Sequence, residues 1–284
     1  MKVALLYDFD KTLSRKDMQE YGFIESLGID DAKDFWKIVR KTVVEENMDS
    51  VLAYMFEMVN QAKNSGRPIT QASLDAYGNR IEFYPGVNEW FSLVNAIGAE
   101  SNIEVEHYIV SSGLKEIIDA TSIAGWFKQI YACEFLYDAA GEAVWPKMAI
   151  NYTGKTQFLF RINKGILDIS NDVDLNKYTP EDKRPIPFSN MIYFGDGLTD
   201  VPSMKLVKTG GGHAIAIYPP DELPTGIALQ LAADQRVDFL AAADYGKNGA
   251  LIKIITAIFN GLVAEYNISQ LKLKEQEKNN EHTF

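Results

Sequence analysis

Two aspartates at alternate positions directly follow a short apolar run near the start of the chain. Residues 3–7 read Val-Ala-Leu-Leu-Tyr, Asp8 and Asp10 come next, and a hydroxyl follows at Thr12. Carboxylates this close repel each other, and a divalent cation bound by oxygen ligands is the simplest compensation. The alternative is a strand end capped by a solvated Asp-Lys turn, and the pair alone leaves both interpretations open.

A second acidic group follows another apolar run late in the chain. Residues 191–194 read Met-Ile-Tyr-Phe, Asp196 follows them between two glycines, and Asp200 lies four positions further on. Glycine lets backbone approach a ligand closely, and functional groups in open α/β sheets gather beyond the carboxyl ends of strands. The all-oxygen set of acids favours Mg²⁺ over Zn²⁺, because no cysteine–histidine set competes for a metal.

Ser111 and Lys155 also stand where a predicted strand or helix begins or ends. The Ser-Ser-Gly of residues 111–113 closes an apolar run, and a helix is predicted from Leu114. That arrangement is either an anion site at a helix N-terminus or a plain serine N-cap. Lys155 follows a glycine at the start of another predicted helix, where it is either a solvated side chain or a charge partner for the acids.

The acids, Ser111 and Lys155 can only lie close together if a sheet brings the ends of their strands together. The rest of the sequence predicts the strands and helices of such a sheet. Apolar runs of strand length alternate with amphipathic helical patterns, which is typical of an α/β fold with a parallel sheet. The predicted strands lie at residues 105–110, at 129–150 with a hairpin turn at 139–141, at 191–194, at 213–217 and at 237–240, and a closing helix lies at 247–266.

Residues 15–84 keep helical spacing for longer than an ordinary connection between two strands. The Gly-Arg-Pro of residues 66–68 breaks the pattern, and Asp49 is the predicted N-cap of one of the helices. A block of this size predicts a small helical cap inserted into a core made of residues 1–14 and 85–268. The Met and aromatic stripes on these helices are interpreted as the core of the cap itself.

The composition and net charge of the chain argue against several classes of protein. The chain has 284 residues and a net charge of −11, which argues against a nucleic-acid-binding surface. The single Cys133 excludes an intramolecular disulfide, and neither a membrane span of roughly 20 apolar residues nor a signal peptide is expected. Residues 269–284 are charged and poor in apolar side chains, which predicts a mobile tail. A cytoplasmic enzyme fits these observations, and the number of subunits is left open.

The order of Asp8, Ser111, Lys155 and Asp196 along the chain matches the four motifs of one family. The stretch Asp-Phe-Asp-Lys-Thr-Leu from Asp8 resembles the first motif of the haloacid dehalogenase superfamily, in the Asp-x-Asp-x-Thr form typical of its phosphatases. The resemblance covers about residues 1–259 and implies a Rossmann-like parallel sheet core. The long helical insert after the first motif resembles the phosphoserine phosphatase-like branch, whose cap is inserted at this point.

The resemblance implies roles for the acidic residues. Asp8 is the expected nucleophile, and Asp10 is the expected general acid and base. Asp8, Asp10 through its backbone carbonyl, and Asp196 are expected to hold Mg²⁺, while Asp200 supports the site without binding the metal. In an alternative register, the Asp-Lys-Thr from Asp10 resembles the phosphorylated motif of cation-pumping ATPases, but those enzymes need membrane spans.

The resemblance also implies contacts to the substrate. Thr12, Ser111 and Lys155 are expected on the phosphate side, and Lys155 also compensates the charge of Asp8. Four basic residues are either candidate contacts to the rest of the substrate or plain solvated side chains: Arg15, Lys16, Arg40 and Arg67.

The function implied by the resemblance is Mg²⁺-dependent hydrolysis of a small-molecule phosphate monoester through an aspartyl-phosphate. The expected partner is a small phosphorylated metabolite, not a nucleic acid or a membrane. A phosphomutase with the same chemistry is the alternative enzyme. Outside enzymes, the alternative is a phosphate-binding or regulatory protein that kept the fold without turnover. The acid at Asp10 argues against a dehalogenase.

Overall fold

The chain folds around one seven-stranded sheet. The structure, a computed structural model, describes residues 1–224 and 226–281, with side chains as far as residue 276. The strands are β1 (Lys2–Tyr7), β2 (Glu104–Leu114), β3 (Phe127–Tyr137), β4 (Ala143–Met148), β5 (Met191–Gly195), β6 (His213–Tyr218) and β7 (Phe239–Ala242). Their order is β4-β3-β2-β1-β5-β6-β7, and every neighbouring pair is parallel except β3 and β4.

The central strand β1 decides where the acidic groups lie. Its residues 3–7 are buried, as expected for a strand of a parallel sheet that helices cover on both faces. Its last residue, Tyr7, is in register with Ile109 of β2 and with Phe194 of β5. The carboxyl ends of the three strands therefore meet at one edge of the sheet. The predicted α/β fold with a parallel, Rossmann-like sheet is confirmed.

Helices fill the connections between the strands. They are α1 (Phe23–Ser26), α2 (Ala32–Glu45), α3 (Ser50–Asn64), α4 (Gln71–Gly78), α5 (Val87–Glu100), α6 (Lys115–Asp119), α7 (Gly154–Lys164), α8 (Asp172–Asn176), α9 (Val201–Thr209), α10 (Gly226–Ala233) and α11 (Ala250–Glu281). The first four helices lie between β1 and α5, within the segment predicted to be all-helical.

Several local predictions are confirmed by the contacts of single residues. β3 and β4 pair in antiparallel fashion across the predicted turn at 139–141. Lys155 lies in the first turn of α7. The carboxylate of Asp49 accepts from the amides of Val51 and Leu52 at 2.9 and 3.2 Å, as an N-cap does.

The helix predicted from Leu114 is present as α6, which begins at Lys115 with Leu114 as its N-cap. β2 continues through Leu114, its pairing with β3 shifts register after Val110, and the helix that follows has only five residues. Such a shift in register allows a strand to continue through a Ser-Ser-Gly sequence, which by composition is typical of a loop. The amide of Gly113 donates to the Ser111 hydroxyl at 3.0 Å, and the amide of Leu114 donates to the Met18 sulfur at 2.9 Å. These two amides have partners within the chain, and the binding of an anion at this strand end stays a prediction.

The last helix is longer than the sequence predicts. α11 continues past the predicted end at residue 266 as far as Glu281, and so includes most of the predicted tail, 269–284. Residues 270–276 contain only Gln, Leu, Lys and Glu, which are strong helix formers even where few side chains are apolar. Residues 282–284 lie outside the described part of the chain, and the mobility of the tail stays a prediction.

The expectation that no segment approaches a membrane span is wrong for α11 on length and composition. Its stretch Ala250–Gln276 is the one helix among the described residues that is long and apolar enough to cross a bilayer. The core helix of a soluble protein meets the same criterion, and Leu251, Ile255 and Phe259 are wholly buried in the core. This helix is weak support for a membrane protein, and the expectation that no membrane is bound stays a prediction.

Two adjacent connections join the segment 15–84 to the sheet. The amide of Tyr84 donates to the carbonyl of Leu13, and the amide of Arg15 donates to the carbonyl of Glu82, both at 3.0 Å. The two connections thus run antiparallel and side by side. The segment leaves and re-enters the rest of the structure at one place, and its standing as a separate cap stays a prediction.

A buried polar network ties β1 and β2 to α5. The Trp90 indole N–H donates to the Tyr7 hydroxyl at 2.9 Å, and the hydroxyl lies 3.1 Å from His107 Nδ1. His107 Nε2 lies 3.0 Å from Asn95 Oδ1, which only accepts. His107 Nε2 therefore carries the proton, and Nδ1 accepts from Tyr7. Burial lowers the pKa of His107 to about 3, so the folded protein keeps this ring neutral.

The neutral His107 makes stability dependent on pH. The unfolded chain protonates a histidine below pH ~6.5 but the folded chain does not, so the free energy of unfolding falls as the pH drops from ~6.5 toward 3. Between pH 7 and pH 5 this one group removes about 2 kcal/mol. Urea denaturation of the wild type and of His107→Gln at both pH values measures the difference. Equal losses of stability in the two proteins are the contrary result.

Candidate active site

Three aspartates meet at the carboxyl edge of the sheet. One carboxylate oxygen from each of Asp8, Asp196 and Asp200 lies within 4.8 Å of the others. Asp8 follows β1, and its amide donates to the carbonyl of Phe194 on β5 at 2.9 Å, which fixes the two strand ends against each other. The structure thus brings together the two acidic groups that are far apart in the sequence.

A buried lysine lies between two of these acids. Lys155 is fully buried, and its Nζ lies 3.0 Å from Asp8 Oδ2 and 2.7 Å from Asp200 Oδ1. Burial alone lowers the pKa of an ammonium, but the charges of Asp200 and Asp8 outweigh it and raise the pKa of Lys155 well above its ordinary value. The ammonium therefore stays charged at this position.

The oxygens of Asp200 are occupied by donors of the protein. Oδ1 accepts from Lys155 and, at 2.7 Å, from the hydroxyl of Tyr193, while Oδ2 accepts from the amide of Gly197 at 3.3 Å. Burial, with the charge of Asp8, raises the pKa of Asp200 to about 6. A side chain at residue 195 would collide with this carboxylate, which explains the glycine there. These contacts favour the predicted supporting role of Asp200 over direct metal binding.

Asp10 lines the same cavity without belonging to the three-acid cluster. Its Oδ1 accepts from the amide of Met18 at 2.9 Å, and its oxygens are not among those of the three-acid cluster. Burial, followed by the charges of Asp17 and Asp8, raises the pKa of Asp10 well above its usual range. A carboxyl group in this state can donate a proton. The contribution of its backbone carbonyl to a metal stays a prediction.

The residues predicted to face the phosphate do not all face the same space. Ser111 is buried and lines the cavity in front of the acids. Thr12 is fully buried and does not line this cavity, and its hydroxyl has no hydrogen-bond partner among the described residues. Lys155 lies behind Asp8 and is also absent from the lining. The geometry therefore supports a direct phosphate contact for Ser111 alone.

A cavity of 460 Å³ opens between the acids and the helices that follow β1. Of the four basic candidates, Arg40 lines this cavity, and Arg15 lines a neighbouring cavity of 490 Å³. Arg67 donates to the carbonyl of Ser26 at 2.7 Å instead, and Lys16 lines neither cavity. The helical wall of the 460 Å³ cavity is made of Gln19, Trp36, Val39, Arg40, Val43, Ser50, Val51 and Tyr54.

Several side chains of the site carry no recognisable sequence signal. Tyr193 lies inside an apolar strand, where its type alone indicates only burial. Trp36 and Tyr54 belong to helices whose Met and aromatic stripes are interpreted as the core of the cap, and both side chains line the cavity. Tyr54 also donates to the carbonyl of Ser112 at 2.7 Å. Which face of a helix meets the cavity depends on how the helix packs, and the spacing of its residues does not contain that information.

The charge balance of the cluster tests whether a metal fits. Asp8, Asp196 and Asp200 bring three carboxylates, and Lys155 brings one ammonium, which leaves an excess of two negative charges. Burial, with the charges of Asp200 and Asp8, raises the pKa of Asp196 well above its ordinary range. One divalent cation matches the excess, and the all-oxygen donor set is the one that Mg²⁺ prefers. The residues present therefore fit a Mg²⁺ ion.

Comparison with known proteins places this site in a family. The model of the family described as haloacid dehalogenase-like hydrolase matches residues 5–205. A protein of Borreliella burgdorferi, described as uncharacterized, is 26% identical over 276 residues, which are 88% of this chain and 93% of that protein.

Solved structures resemble the chain at low sequence identity. A haloacid dehalogenase family hydrolase from Salmonella enterica serovar Typhi is 17% identical, with a TM-score of 0.54, over 75% of this chain, and the chain spans 62% of its length. A phospho-aspartyl intermediate analogue of phosphoserine phosphatase is 16% identical, with a TM-score of 0.53, over 90% of this chain and 98% of that one. The predicted resemblance, including the phosphoserine phosphatase-like branch, is confirmed at the level of fold.

If the acid cluster binds a divalent cation, the cation will stabilise the folded protein. Mg²⁺ at a hundredfold excess over its dissociation constant is expected to raise the melting temperature by roughly 5–10 °C. Asp196→Asn removes a charged ligand and is expected to lose most of that shift. Thermal denaturation with and without Mg²⁺ measures it, and isothermal titration checks the affinity.

The matched control for this measurement is Asp182→Asn, which removes an exposed carboxylate on a surface turn. This variant should keep the full shift in melting temperature. A shift of the same size in Asp196→Asn and in the control would place the cation elsewhere on the surface.

Proposed function

The chain belongs to the haloacid dehalogenase-like hydrolase family, and we propose that it is a phosphatase acting on a small-molecule phosphate monoester with Mg²⁺ through an aspartyl-phosphate. The observation that carries the proposal is the environment of Asp8. Its carboxylate lines the cavity, while Lys155 holds its Oδ2 from behind at 3.0 Å. A carboxylate fixed at the floor of a cavity is placed to attack a group bound there.

Asp8 is the nucleophile in this proposal. The backbone amide of Phe9 donates to its Oδ1 at 2.8 Å and Lys155 to its Oδ2, so the carboxylate plane is fixed before substrate arrives. Attack on phosphorus forms an oxygen–phosphorus bond to Asp8 and breaks the bond from phosphorus to the ester oxygen. Splitting hydrolysis into two displacements gives each a lower barrier than direct attack by water.

Asp10 moves the protons. As a carboxylic acid, it gives its proton to the leaving ester oxygen, so the first product is an alcohol. The carboxylate that remains takes a proton from water, whose oxygen attacks phosphorus and breaks the bond to Asp8. Inorganic phosphate leaves, and both aspartates return to their starting states. The raised pKa of Asp10 and its bond to the Met18 amide support this role.

Mg²⁺ would be held by the carboxylates of Asp8 and Asp196, with the Asp10 carbonyl as a further oxygen ligand. When bound, it supplies positive charge that offsets the repulsion between the phosphate and the acids. Ser111, which lines the cavity beside the acids, is placed to donate to a phosphate oxygen. Asp200 keeps Lys155 in position through their 2.7 Å contact.

The substrate is a small phosphorylated metabolite in this proposal, because the cavity has the size of a small-molecule site. The named phosphatase among the similar structures supports the same class of substrate. Location in the cytoplasm and the lack of nucleic-acid and membrane partners stay predictions from composition.

The segment 15–84 acts as a cap over this site in the same proposal, in contact with a core formed by 1–14 and 85–268. Its helices form one wall of the cavity, and its two connections to the core lie side by side. A segment attached at one place can move as a unit and exclude water when it closes.

Asp8→Asn is expected to abolish turnover and to leave no covalent phosphoryl adduct. Asp10→Asn is expected to slow hydrolysis of alkyl phosphates by ~10²–10⁴-fold, and that of aryl phosphates much less, because good leaving groups need little protonation. Rapid quenching with a phosphorus-labelled substrate, followed by peptide mapping, identifies the residue that carries the label. A label on Asp10, or turnover by Asp8→Asn, would contradict the assigned register.

Closure of the cap is expected when a phosphate mimic occupies the site. With Mg²⁺ and a metal fluoride, hydrogen exchange within residues 15–84 should slow, and the radius of gyration from solution scattering should decrease. Asp8→Asn lacks the nucleophile that such a mimic binds and should show neither change. Unchanged exchange and scattering in the wild type would count against a mobile cap.

A further inference from the structure

Asn151 connects the segment 15–84 to the start of α7, the helix that carries Lys155. Its side-chain Nδ2 donates to Oδ2 of Asp49 at 2.9 Å, although the two residues are 102 positions apart in the sequence. Its side-chain Oδ1 accepts from the Gly154 amide at 3.2 Å, and its backbone carbonyl accepts from the Lys155 amide at 3.0 Å. One residue therefore contacts both the segment over the site and the backbone that carries the buried ammonium.

The carboxylate of Asp49 decides which way the Asn151 amide points. A half-turn of an asparagine amide exchanges its donor and its acceptor. After such a turn, Asn151 would place its NH₂ group against the Gly154 N–H and its oxygen against the carboxylate. Both contacts would be repulsive, so Asp49 selects the orientation in which Asn151 bonds the first amide of α7, as the side chain of an N-cap does.

The close approach of Asn151 to α7 also accounts for the glycine at residue 154. A Cβ there would lie only 2.9 Å from Oδ1 of Asn151, so a larger residue would displace the amide. The glycine that precedes Lys155 therefore belongs to the same contact.

The two oxygens of Asp49 have separate partners. Oδ1 accepts from the first amides of α3, at Val51 and Leu52, and Oδ2 accepts from Asn151. The start of α3 is thus bonded to the start of α7. A second hydrogen bond from α3, between the Tyr54 hydroxyl and the carbonyl of Ser112, ends on β2 and leaves α7 untouched. Movement of α3 away from the core would break the contact with Asn151.

The pair lies beside the cavity without facing into it. Ser50 and Tyr152, the sequence neighbours of Asp49 and Asn151, line the 460 Å³ cavity, but the two bonded residues do not. A ligand in the cavity therefore contacts neither side chain of the pair. Any effect of the pair on the reaction must act through the elements that it joins.

We propose that Asn151 is a positioning residue, which fixes the start of α7 only while Asp49 contacts it. Lys155 lies one residue into α7 and holds Oδ2 of Asp8 at 3.0 Å, so the contact of α3 with the core is transmitted to the nucleophile. This inference rests on the proposed phosphatase function and adds the link between its cap and its catalytic floor. The carboxylate of Asp8 is held for attack when the segment 15–84 is in place, and it is held less firmly when the segment moves away.

The test exchanges the two side chains between their positions. Asp49→Asn keeps an N-cap for α3, because asparagine and aspartate cap equally well, but it removes the acceptor for Asn151. Asn151→Asp keeps an acceptor for the Gly154 amide but brings two carboxylates face to face. In the double variant Asp49→Asn/Asn151→Asp, the amide at position 49 donates to the carboxylate at position 151, and both helix starts keep their acceptors.

Turnover of 4-nitrophenyl phosphate with Mg²⁺ is the first measurement. Each single variant is expected to lower kcat about tenfold and to keep KM within about threefold, because the pair does not touch the ligand. The double variant is expected to recover kcat to within about threefold of the wild type. The matched control is Asn267→Asp, which makes the same replacement at an exposed position of α11 and should keep the wild-type kcat.

Hydrogen exchange of the Gly154 amide, followed by NMR, is the second measurement and does not depend on turnover. Asp49→Asn is expected to speed this exchange about tenfold, and the double variant is expected to restore it. Tyr54→Phe removes the hydrogen bond from α3 to β2 and should leave the exchange of Gly154 within about twofold of the wild type. An equal increase in Tyr54→Phe and in Asp49→Asn would overturn the proposal, because general loosening of the segment would then explain it.

The outcomes separate this inference from the proposed function. If the wild type hydrolyses no ester, the phosphatase proposal is wrong, and the exchange of Gly154 alone decides whether Asp49 acts on α7. If the wild type turns over and the double variant is as slow as the slower single variant, the positioning role is overturned. A wild-type kcat in both single variants would also overturn it, as would an unchanged exchange rate of Gly154 in Asp49→Asn.

Discussion

The ammonium of Lys155 is fully buried between two carboxylates, and the positions of three elements depend on it. It ties the end of β1, through Asp8, to the start of α7 and to the turn after β5, through Asp200. Taking these charges out of water is unfavourable, and they stay buried because each is paired. Without the ammonium, two carboxylates would face each other in the interior with no positive group between them. In the proposed mechanism, the same pairing holds the carboxylate of Asp8 in one orientation, so the stability of this corner and its reactivity have a common origin.

The segment after β1 contributes hydrogen bonds to the site as well as one wall of its cavity. Met18 donates its amide to Asp10, and Tyr54 donates its hydroxyl to the strand that carries Ser111. In the proposed mechanism, the hydrogen bond of the proton-transferring acid is therefore complete only while the segment contacts the sheet. In that mechanism, movement of the segment would change both the access of substrate to the cavity and the hydrogen bond from Met18 to Asp10.

The sequence predicts the parts of this structure that follow from burial along a strand. Apolar runs before Asp8 and Asp196 indicate neighbouring parallel strands, and such strands bring their carboxyl ends together, which is what the structure shows. The course of β2 through Leu114 was not predictable, because a Ser-Ser-Gly reads as a loop unless the partner strand is known. The positions of Gln19 and Trp36 on the cavity wall were not predictable for a related reason. The spacing of residues along a helix does not show whether a face packs against a core or lines a cavity. What the sequence lacks in these cases is the position of the neighbouring element.

The central place of β1 has a consequence for how the protein is made. Its two partners in the sheet, β2 and β5, are both encoded later, and most of the chain separates β1 from β5. During synthesis, the apolar segment Val-Ala-Leu-Leu-Tyr is therefore made before either of its partner strands, and its backbone stays unpaired until they follow. The catalytic floor cannot assemble until residue 200 has emerged, since Asp200 completes the partners of Lys155.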